Sequence, residues 1–299
     1  MQRNPIRRLL ATLLPACLAL VACGGGGDSG STSTAYVAAR SASFSPTTAR
    51  DSATNAQAVA LHWVYAVNDG RPITASAFGI SVGITFTSME VTLAPTDLRR
   101  LASMRGTLSA SDGTTTATGE YSGSIGEDLV QSLGKTVFRN QSAEINLSVT
   151  GGGESASAKG VSSINAFTPA YEWFPDRESL DQLAIGHVET ITSSGSANFN
   201  ITITGEAPIV KSTQPVAVSD RWTVLEKLPT MVVRGKTYSN VVKLSRQTRV
   251  PDFAGNLTSV TIYYWVAKGV GMIRGQGTYR LLNLDDVVYE LTDTNLSQV

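Results

Sequence analysis

The chain of 299 residues carries 24 basic and 24 acidic side chains, so it has no formal net charge. That balance excludes the basic surplus typical of nucleic-acid-binding proteins, and it supplies no polybasic patch for a membrane surface. Only two histidines occur, far apart in sequence, which argues against a metal site.

The first 22 residues have the three zones of an export signal. Arg3, Arg7 and Arg8 form a positive segment, residues 9–20 form a short apolar run, and small residues then lead into Cys23. The apolar run is shorter than the roughly 20 residues that a membrane-spanning helix needs. We therefore predict a signal peptide over residues 1–22 that is cleaved before Cys23.

The sequence around this cleavage site, Leu20-Val21-Ala22-Cys23-Gly24, resembles the lipobox of bacterial lipoproteins. The resemblance implies that Cys23 carries a diacylglyceryl group on its thiol and an acyl chain on its amine. Two or three such chains, of the palmitate type, anchor a protein to a membrane essentially permanently. The implied partners are the membrane itself and the machinery that exports and sorts lipoproteins. A plain secretory peptide followed by a free cysteine is the alternative.

Residues 23–57 are predicted to form a flexible tether, because residues 24–34 are glycine, serine and threonine with a single aspartate. A glycine run directly after the lipobox resembles lipoproteins of Gram-negative bacteria. Gly24 stands where an aspartate would retain the protein in the inner membrane, so the resemblance implies an outer-membrane location. Removal of residues 1–22 also removes Cys17, and with Cys23 acylated no thiol remains for a disulfide or a catalytic nucleophile.

From about residue 59 onward the dominant hydrophobic period is two, which indicates half-buried antiparallel strands. Phe199, Ile201 and Ile203 alternate with polar residues, and the same alternation covers residues 260–267. Other strands are predicted at residues 59–67, 80–86, 90–93, 114–121, 143–149, 187–192, 221–225, 230–233, 241–250, 277–282 and 287–291. This pattern predicts an all-β fold: a sandwich, a barrel or a curved half-barrel. We expect a first β-rich half over residues 58–165 and a second over 166–299, as two units or one continuous domain.

A few short helices are also predicted. Thr96 and Asp97 could cap a turn or two that ends at Gly106, residues 127–133 end before Gly134 in the same style, and residues 176–183 follow Pro175. None of these segments is long enough to organise the fold.

The second half carries a further resemblance. A tryptophan strand at residues 220–224, a Gly-Lys-Thr-Tyr turn at 235–238 and the strand Tyr-Trp-Val-Ala-Lys-Gly-Val-Gly at 264–271 resemble a pattern in uncharacterised bacterial envelope proteins. The resemblance implies a periplasm-facing antiparallel β domain, curved like the half-barrels that carry lipids. It implies no particular activity.

An aromatic cluster interrupts the alternation between the two halves. Tyr171, Trp173 and Phe174 stand among two prolines and Glu172. Aromatic side chains of this kind stack on sugars or line lipid grooves, so these three are the candidate ligand contacts. The alternative is a packed crossover that covers the end of a sheet.

Catalytic motifs are scarce. The sequence contains neither a G-x-S-x-G elbow nor an H-E-x-x-H pair, and His62 and His187 each stand within a predicted strand. Asp285-Asp286 has the position of a turn. The glycines of residues 269–277 lack the spacing and the following helix of a phosphate loop, which predicts a bulge or close packing in a strand pair instead.

Three functions follow from these patterns. The first is a non-catalytic envelope lipoprotein with no cofactor or metal, which holds a lipid or other apolar ligand inside a curved sheet. The second is a hydrolase or carbohydrate-active enzyme without recognisable motifs, which would require His62 or His187 beside a serine in a cleft. The third is a surface adhesin or assembly subunit, suggested by strands rich in serine and threonine.

Overall fold

A computed structural model describes residues 36–38, 44, 46, 49–51, 60–77, 80–93, 99–111, 113–132, 135–151, 153–172, 180–204, 210–251, 257–278 and 287–298. Sixteen strands are present in these segments. They are β1 (Tyr36–Ala38), β2 (Ala49–Asp51), β3 (Leu61–Val67), β4 (Ile73–Ala77), β5 (Ile80–Leu93), β6 (Arg99–Ser111), β7 (Thr116–Ser132), β8 (Lys135–Gly151), β9 (Glu154–Thr168), β10 (Tyr171–Glu172), β11 (Val188–Ile203), β12 (Val210–Val233), β13 (Lys236–Pro251), β14 (Leu257–Ala267), β15 (Gly271–Thr278) and β16 (Val287–Thr294).

Twelve of the strands form a closed antiparallel barrel. Their order around the barrel is β8-β7-β6-β5-β3-β16-β15-β14-β13-β12-β11-β9, and β8 also pairs with β9, which closes the ring. The short strand β4 pairs with β5, and β10 pairs with β8 beyond the end of the β8–β9 ladder. The pair β1–β2 forms a separate two-stranded sheet. The all-β prediction is confirmed, and of the three predicted architectures the barrel is the one observed.

The barrel interior is the apolar face of this sheet. Side chains in a closed barrel alternate between inside and outside along every strand, and β3 shows this clearly, because its odd-numbered residues are buried and its even-numbered residues are half exposed. Every barrel strand contributes buried residues to one continuous hydrophobic cluster that includes Trp63, Tyr121, Trp222 and Tyr264, while Phe167 of β9 forms a separate small cluster. Burial of this face is the main source of stability, since removal of apolar surface from water is the dominant favourable contribution to folding.

Two of the polar side chains enclosed with the apolar ones donate hydrogen bonds to backbone carbonyls. The indole nitrogen of Trp63 donates to the carbonyl of Val270 at 2.8 Å, and the hydroxyl of Tyr65 donates to the carbonyl of Met272 at 2.9 Å. Burial raises the pKa of the Tyr65 hydroxyl far above its ordinary value. Such bonds matter because an unbonded polar group in the interior would be costly.

Two ion pairs also lie on the inner face. The Arg246 Nε donates to Asp220 Oδ2 at 2.7 Å, and the Asp220 side chain is fully buried. At another position around the barrel, Arg100 pairs with Glu127, whose second oxygen accepts a hydrogen bond of 3.1 Å from Gln141.

A short turn segment and the C-terminal tail pack onto the ends of the barrel strands. Leu180 is fully buried, and the ammonium of Lys268 bonds to Asp181 at 2.5 Å. The side chain of Gln298 bonds to the backbone of Ser239 and to the carbonyl of Lys268. Phe44 is also fully buried, and β1 and β2 lie within residues 23–57, the segment predicted to be a tether.

The helix predictions are wrong wherever the structure describes them. Residues 127–132 belong to β7, residues 99–104 belong to β6, and residues 180–183 form a turn. The register explains the first case, because β7 pairs with β6 over residues 116–128 and with β8 over residues 118–132, and that pairing outweighs a weak local helical preference. Among the described residues, no helix is long and apolar enough to cross a membrane.

Most strand predictions are confirmed, although the strands are longer than predicted. Predicted strands 80–86 and 90–93 are one strand, β5, and 221–225 and 230–233 are both parts of β12. The glycines of residues 269–277 lie in the β14–β15 turn and in β15, and the β14–β15 ladder contains a bulge beside Trp265. The strand-pair interpretation of this segment is therefore confirmed.

Candidate functional site

Most residues predicted to form a site lie where the structure says little. Cys23, Trp173 and Phe174 are outside the described residues, as is Asp285-Asp286. Tyr171 belongs to β10, where its backbone is in register with Phe138 of β8. The aromatic site and the lipidation site therefore remain predictions.

Both histidines bond to carboxylates. Nε2 of His62 lies 3.0 Å from Glu90 Oε2, and Nε2 of His187 lies 3.2 Å from Glu189 Oε1. Neither histidine lines the depressions described below. Across the described ranges, no three His, Cys, Asp or Glu side chains cluster as metal ligands do.

A polar surface lies on the outer face of six neighbouring strands, β5, β6, β7, β8, β9 and β11. Strand register places their outward-facing polar side chains in two rows that run across the strands, and we call these two rows the polar band. The first row contains Arg105, Ser122, Asn146, Lys159 and Thr202, and Thr87, at the bulge of β5, joins it through a hydrogen bond to the Arg105 carbonyl. The second row contains Thr85, Thr107, Glu120, Ser148, Ser157 and Thr204.

The rows follow from the pairing of each strand with the next. Arg105 is in register with Ser122, Ser122 with Asn146, Asn146 with Lys159, and Lys159 with Thr202. Neighbouring strands lie about 4.8 Å apart, so the band presents a polar group roughly every 4.8 Å across the sheet. Such regular spacing suits a ligand that is itself an extended chain of polar groups.

The outer face is concave along the polar band. One depression has a volume of about 800 Å³ and is lined by residues from all six strands, including Arg105, Glu120 and Lys159. A second depression of about 600 Å³ shares Thr107, Glu120 and Ser148 with the first and continues toward Thr118 and Thr150. The two are therefore parts of one groove, whose size is in the range of small-molecule binding sites.

Glycines on the inner face allow the sheet to bend at this groove. A Cβ atom on Gly106 would overlap the carbonyl oxygen of Thr85, and one on Gly119 would overlap the carbonyl oxygen of Ser148. The backbones of β5, β6, β7 and β8 thus approach more closely than any residue with a side chain would permit. Glycine within strands commonly marks such close approach of neighbouring backbone.

Charge is distributed unevenly along the polar band. Lys159 pairs with Glu144 at 2.7 Å, and Asn146 donates to the same carboxylate at 3.0 Å. These hydrogen bonds, the one from Lys159 first, hold the pKa of Glu144 below its ordinary value. Arg105 and Glu120 have exposed side chains, and neither forms an ion pair with any residue in the described ranges.

This arrangement can bind a polar ligand by many hydrogen bonds at once. Hydroxyl groups of serine and threonine both donate and accept, the asparagine amide does the same, and Arg105 and Glu120 add one cation and one anion. The hydroxyls are also partly oriented: Oγ of Ser157 lies 2.5 Å from Oγ1 of Thr204, and Oγ1 of Thr87 donates to the carbonyl of Arg105 at 3.2 Å.

The polar band is not visible in the sequence. The strands are rich in serine and threonine, but the band depends on which residue of one strand stands opposite which residue of the next. The only available signal was the alternation of small polar residues at outward positions, as in residues 118–124 and 146–150. No protein-family model matches the chain, and the comparisons with curated proteins and with solved structures give no match either.

Proposed function

We propose that this protein is a lipid-anchored protein of the bacterial envelope whose barrel binds an oligosaccharide in the groove along the polar band. This proposal rests on the groove itself, which consists of two joined depressions that cross six strands and are lined by hydroxyl, amide and charged groups. Sugars present hydrogen-bond donors and acceptors as densely as the groove lining does. A bound sugar would replace the water molecules that otherwise hydrate the groove.

The packed interior of the barrel favours a ligand site on the outer face. The sequence suggested an apolar ligand held inside a curved sheet, but buried side chains of every barrel strand meet there in one cluster. Trp222 and Tyr264, for instance, have ring centroids 5.5 Å apart on the inner face. Because protein interiors pack at crystal-like density, a lipid inside would have to displace such contacts. We therefore place the ligand on the outer face.

The proposed anchor rests on the sequence around Cys23. Its acyl chains would hold the protein on the outer membrane, and the glycine-rich residues after it would let the barrel reach ligands away from the bilayer. Fractionation of cells that express the Cys23→Ser variant tests this part. We expect an unlipidated soluble form or an uncleaved precursor, and a cleaved variant that stayed on the membrane as the wild type does would contradict the anchor.

We propose binding and not catalysis at the groove. Its lining has one free carboxylate, Glu120, and no histidine. Hydrolysis of a glycosidic bond ordinarily requires two carboxyl groups on opposite sides of the scissile bond, about 5 to 9.5 Å apart. Glu144 is a further carboxylate on the outer face of β8, and Lys159 and Asn146 already occupy its oxygens.

The test of the groove is calorimetric titration of the full-length protein in detergent with a panel of acidic and neutral oligosaccharides. In the Thr107→Leu variant, a bulkier side chain without a hydroxyl occupies the wall that the two depressions share, and we expect binding to weaken about fivefold or more. Thr190→Leu is the matched control, because Thr190 is also an exposed strand threonine but lies on neither depression. Failure of every oligosaccharide to bind, or equal loss in both variants, would contradict the proposal.

A further inference from the structure

We infer that the groove selects an acidic glycan, with Arg105 binding a sugar carboxylate and Glu120 accepting hydrogen bonds from the hydroxyls beside it. The inference rests on the proposed function and specifies its ligand. It comes from the two charged side chains of the polar band that have no ionic partner among the described residues.

Arg105 and Glu120 are diagonal neighbours on adjacent strands. Arg105 of β6 is in register with Ser122 of β7, and Glu120 precedes Ser122 by two residues on the same outward face. Diagonal neighbours of this kind stand about 7–8 Å apart between Cα atoms, close enough for long side chains to meet. The guanidinium and the carboxylate nevertheless form no ion pair with each other. Both therefore keep their hydrogen-bonding groups available to a ligand that lies across β6 and β7.

The other charged residues near the groove are already neutralised. Lys159 pairs with Glu144 at 2.7 Å, and at the start of β6 Arg99 pairs with Asp128 at 2.7 Å. Arg105 lies on the same strand and the same outward face as Arg99, yet it has no such partner. Arg105 is thus the cation of the groove that has no ionic partner in the described chain, and it lies on β6, the second of the six strands that the polar band crosses.

The chemistry of the two groups defines the anion. A guanidinium binds a planar carboxylate through two parallel hydrogen bonds, which is the strongest contact available to this surface. Glu120 would repel a densely charged polyanion, such as a sulfated or phosphorylated chain, at the same site. It does accept hydroxyl hydrogens, and each sugar ring supplies several. One carboxylate surrounded by hydroxyls, as in a uronic acid, satisfies both residues.

The serine and threonine hydroxyls on either side extend this recognition along the chain. Thr107 and Ser148 flank Glu120 in the second row, and Ser122 and Asn146 follow Arg105 in the first. A glycan that crosses the strands would meet these groups in succession. Neighbouring sugars would therefore add contacts without needing a second charge.

The experiment compares a neutral xylotriose that carries a single glucuronic acid branch with the methyl ester of the same tetrasaccharide, which keeps every hydroxyl but removes the one charge. Full-length protein in detergent is titrated with each. We expect the wild type to bind the acid about tenfold more tightly than the ester, and Arg105→Gln to abolish that preference while it retains binding of the ester. Arg99→Gln is the matched control and should keep the preference, because Arg99 lies outside both depressions.

The outcomes separate the two proposals. Equal binding of acid and ester by the wild type would overturn the acidic specificity and leave glycan binding intact. A preference that survives in Arg105→Gln would likewise overturn the role of that residue, provided that thermal unfolding shows the variant to be folded. If neither the acid nor the ester binds, this inference fails, and if no oligosaccharide of the wider panel binds either, the proposed function fails with it.

Discussion

The ion pair inside the barrel between Arg246 and Asp220 should be among the most sensitive points of the fold. The side chain of Asp220 is fully buried, that of Arg246 is 13% exposed, and the bond between them is 2.7 Å long. Arg246→Met keeps much of the volume and removes the charge, which leaves the carboxylate without its guanidinium in the interior. Loss of one partner of a buried pair costs about 3–5 kcal/mol of unfolding free energy.

The chain offers a closely matched control for this prediction. Arg99 and Asp128 form the same kind of pair at the same 2.7 Å distance, but their side chains are 48% and 44% exposed. Arg99→Met should therefore cost about 1 kcal/mol or less. Urea unfolding of both variants measures the difference. The double variant Asp220→Leu with Arg246→Met should recover much of the loss, because no lone charge remains. Equal, small losses in the two single variants would refute the claim that burial makes the inner pair important.

Two further predictions concern the strands and turns. Gly119→Ala should lower the unfolding free energy by about 1–3 kcal/mol, because its new methyl group would overlap a backbone carbonyl of β8. Gly275→Ala is the control and should cost less, because the nearest atom to its methyl group would be a ring carbon at 3.4 Å. Equal costs in urea unfolding of the two variants would contradict the close strand approach. The hydrogen bond and charge of Arg234 lower the pKa of Asp69, so this pair stabilises the fold above the ordinary carboxyl pKa and ceases to do so as the pH falls through the lowered value. Carbon NMR should show Asp69 titrating below the ordinary range in the wild type and within it in Arg234→Gln, and an ordinary pKa in the wild type would contradict the pair.

Fold class could be predicted from the sequence because alternation is a local signal. In β14, Val260, Ile262, Tyr264 and Val266 face the core and the residues between them do not, as the period of two indicates. The helix predicted at residues 127–133 was wrong because a glycine that could end a helix says nothing about which strands pair with the segment before it. There Glu127 faces the barrel interior, where Arg100 and Gln141 bond to its oxygens.

The candidate site could not be predicted because it depends on register. Thr107, Glu120 and Ser148 are separated by more than ten residues in sequence and become neighbours only when β6, β7 and β8 pair in one alignment. A shift of one residue would turn each side chain to the other face. Burial of the apolar face fixes that alignment in the folded barrel. The residue pattern of a single strand does not show which residues of the next strand lie opposite.

The seam between β3 and β16 has a consequence for the synthesis of the chain. The first strand of the barrel lies against the last, with Tyr65 opposite Leu291 and Trp63 opposite Thr294. No nascent fragment that lacks the C-terminus can therefore complete the ring, and the final ladder joins segments more than two hundred residues apart. Contacts of such long sequence separation form late and slowly. The barrel would thus stay open until β16 has been made, and a fragment that ends before β16 should leave the facing edges of β3 and β15 unpaired.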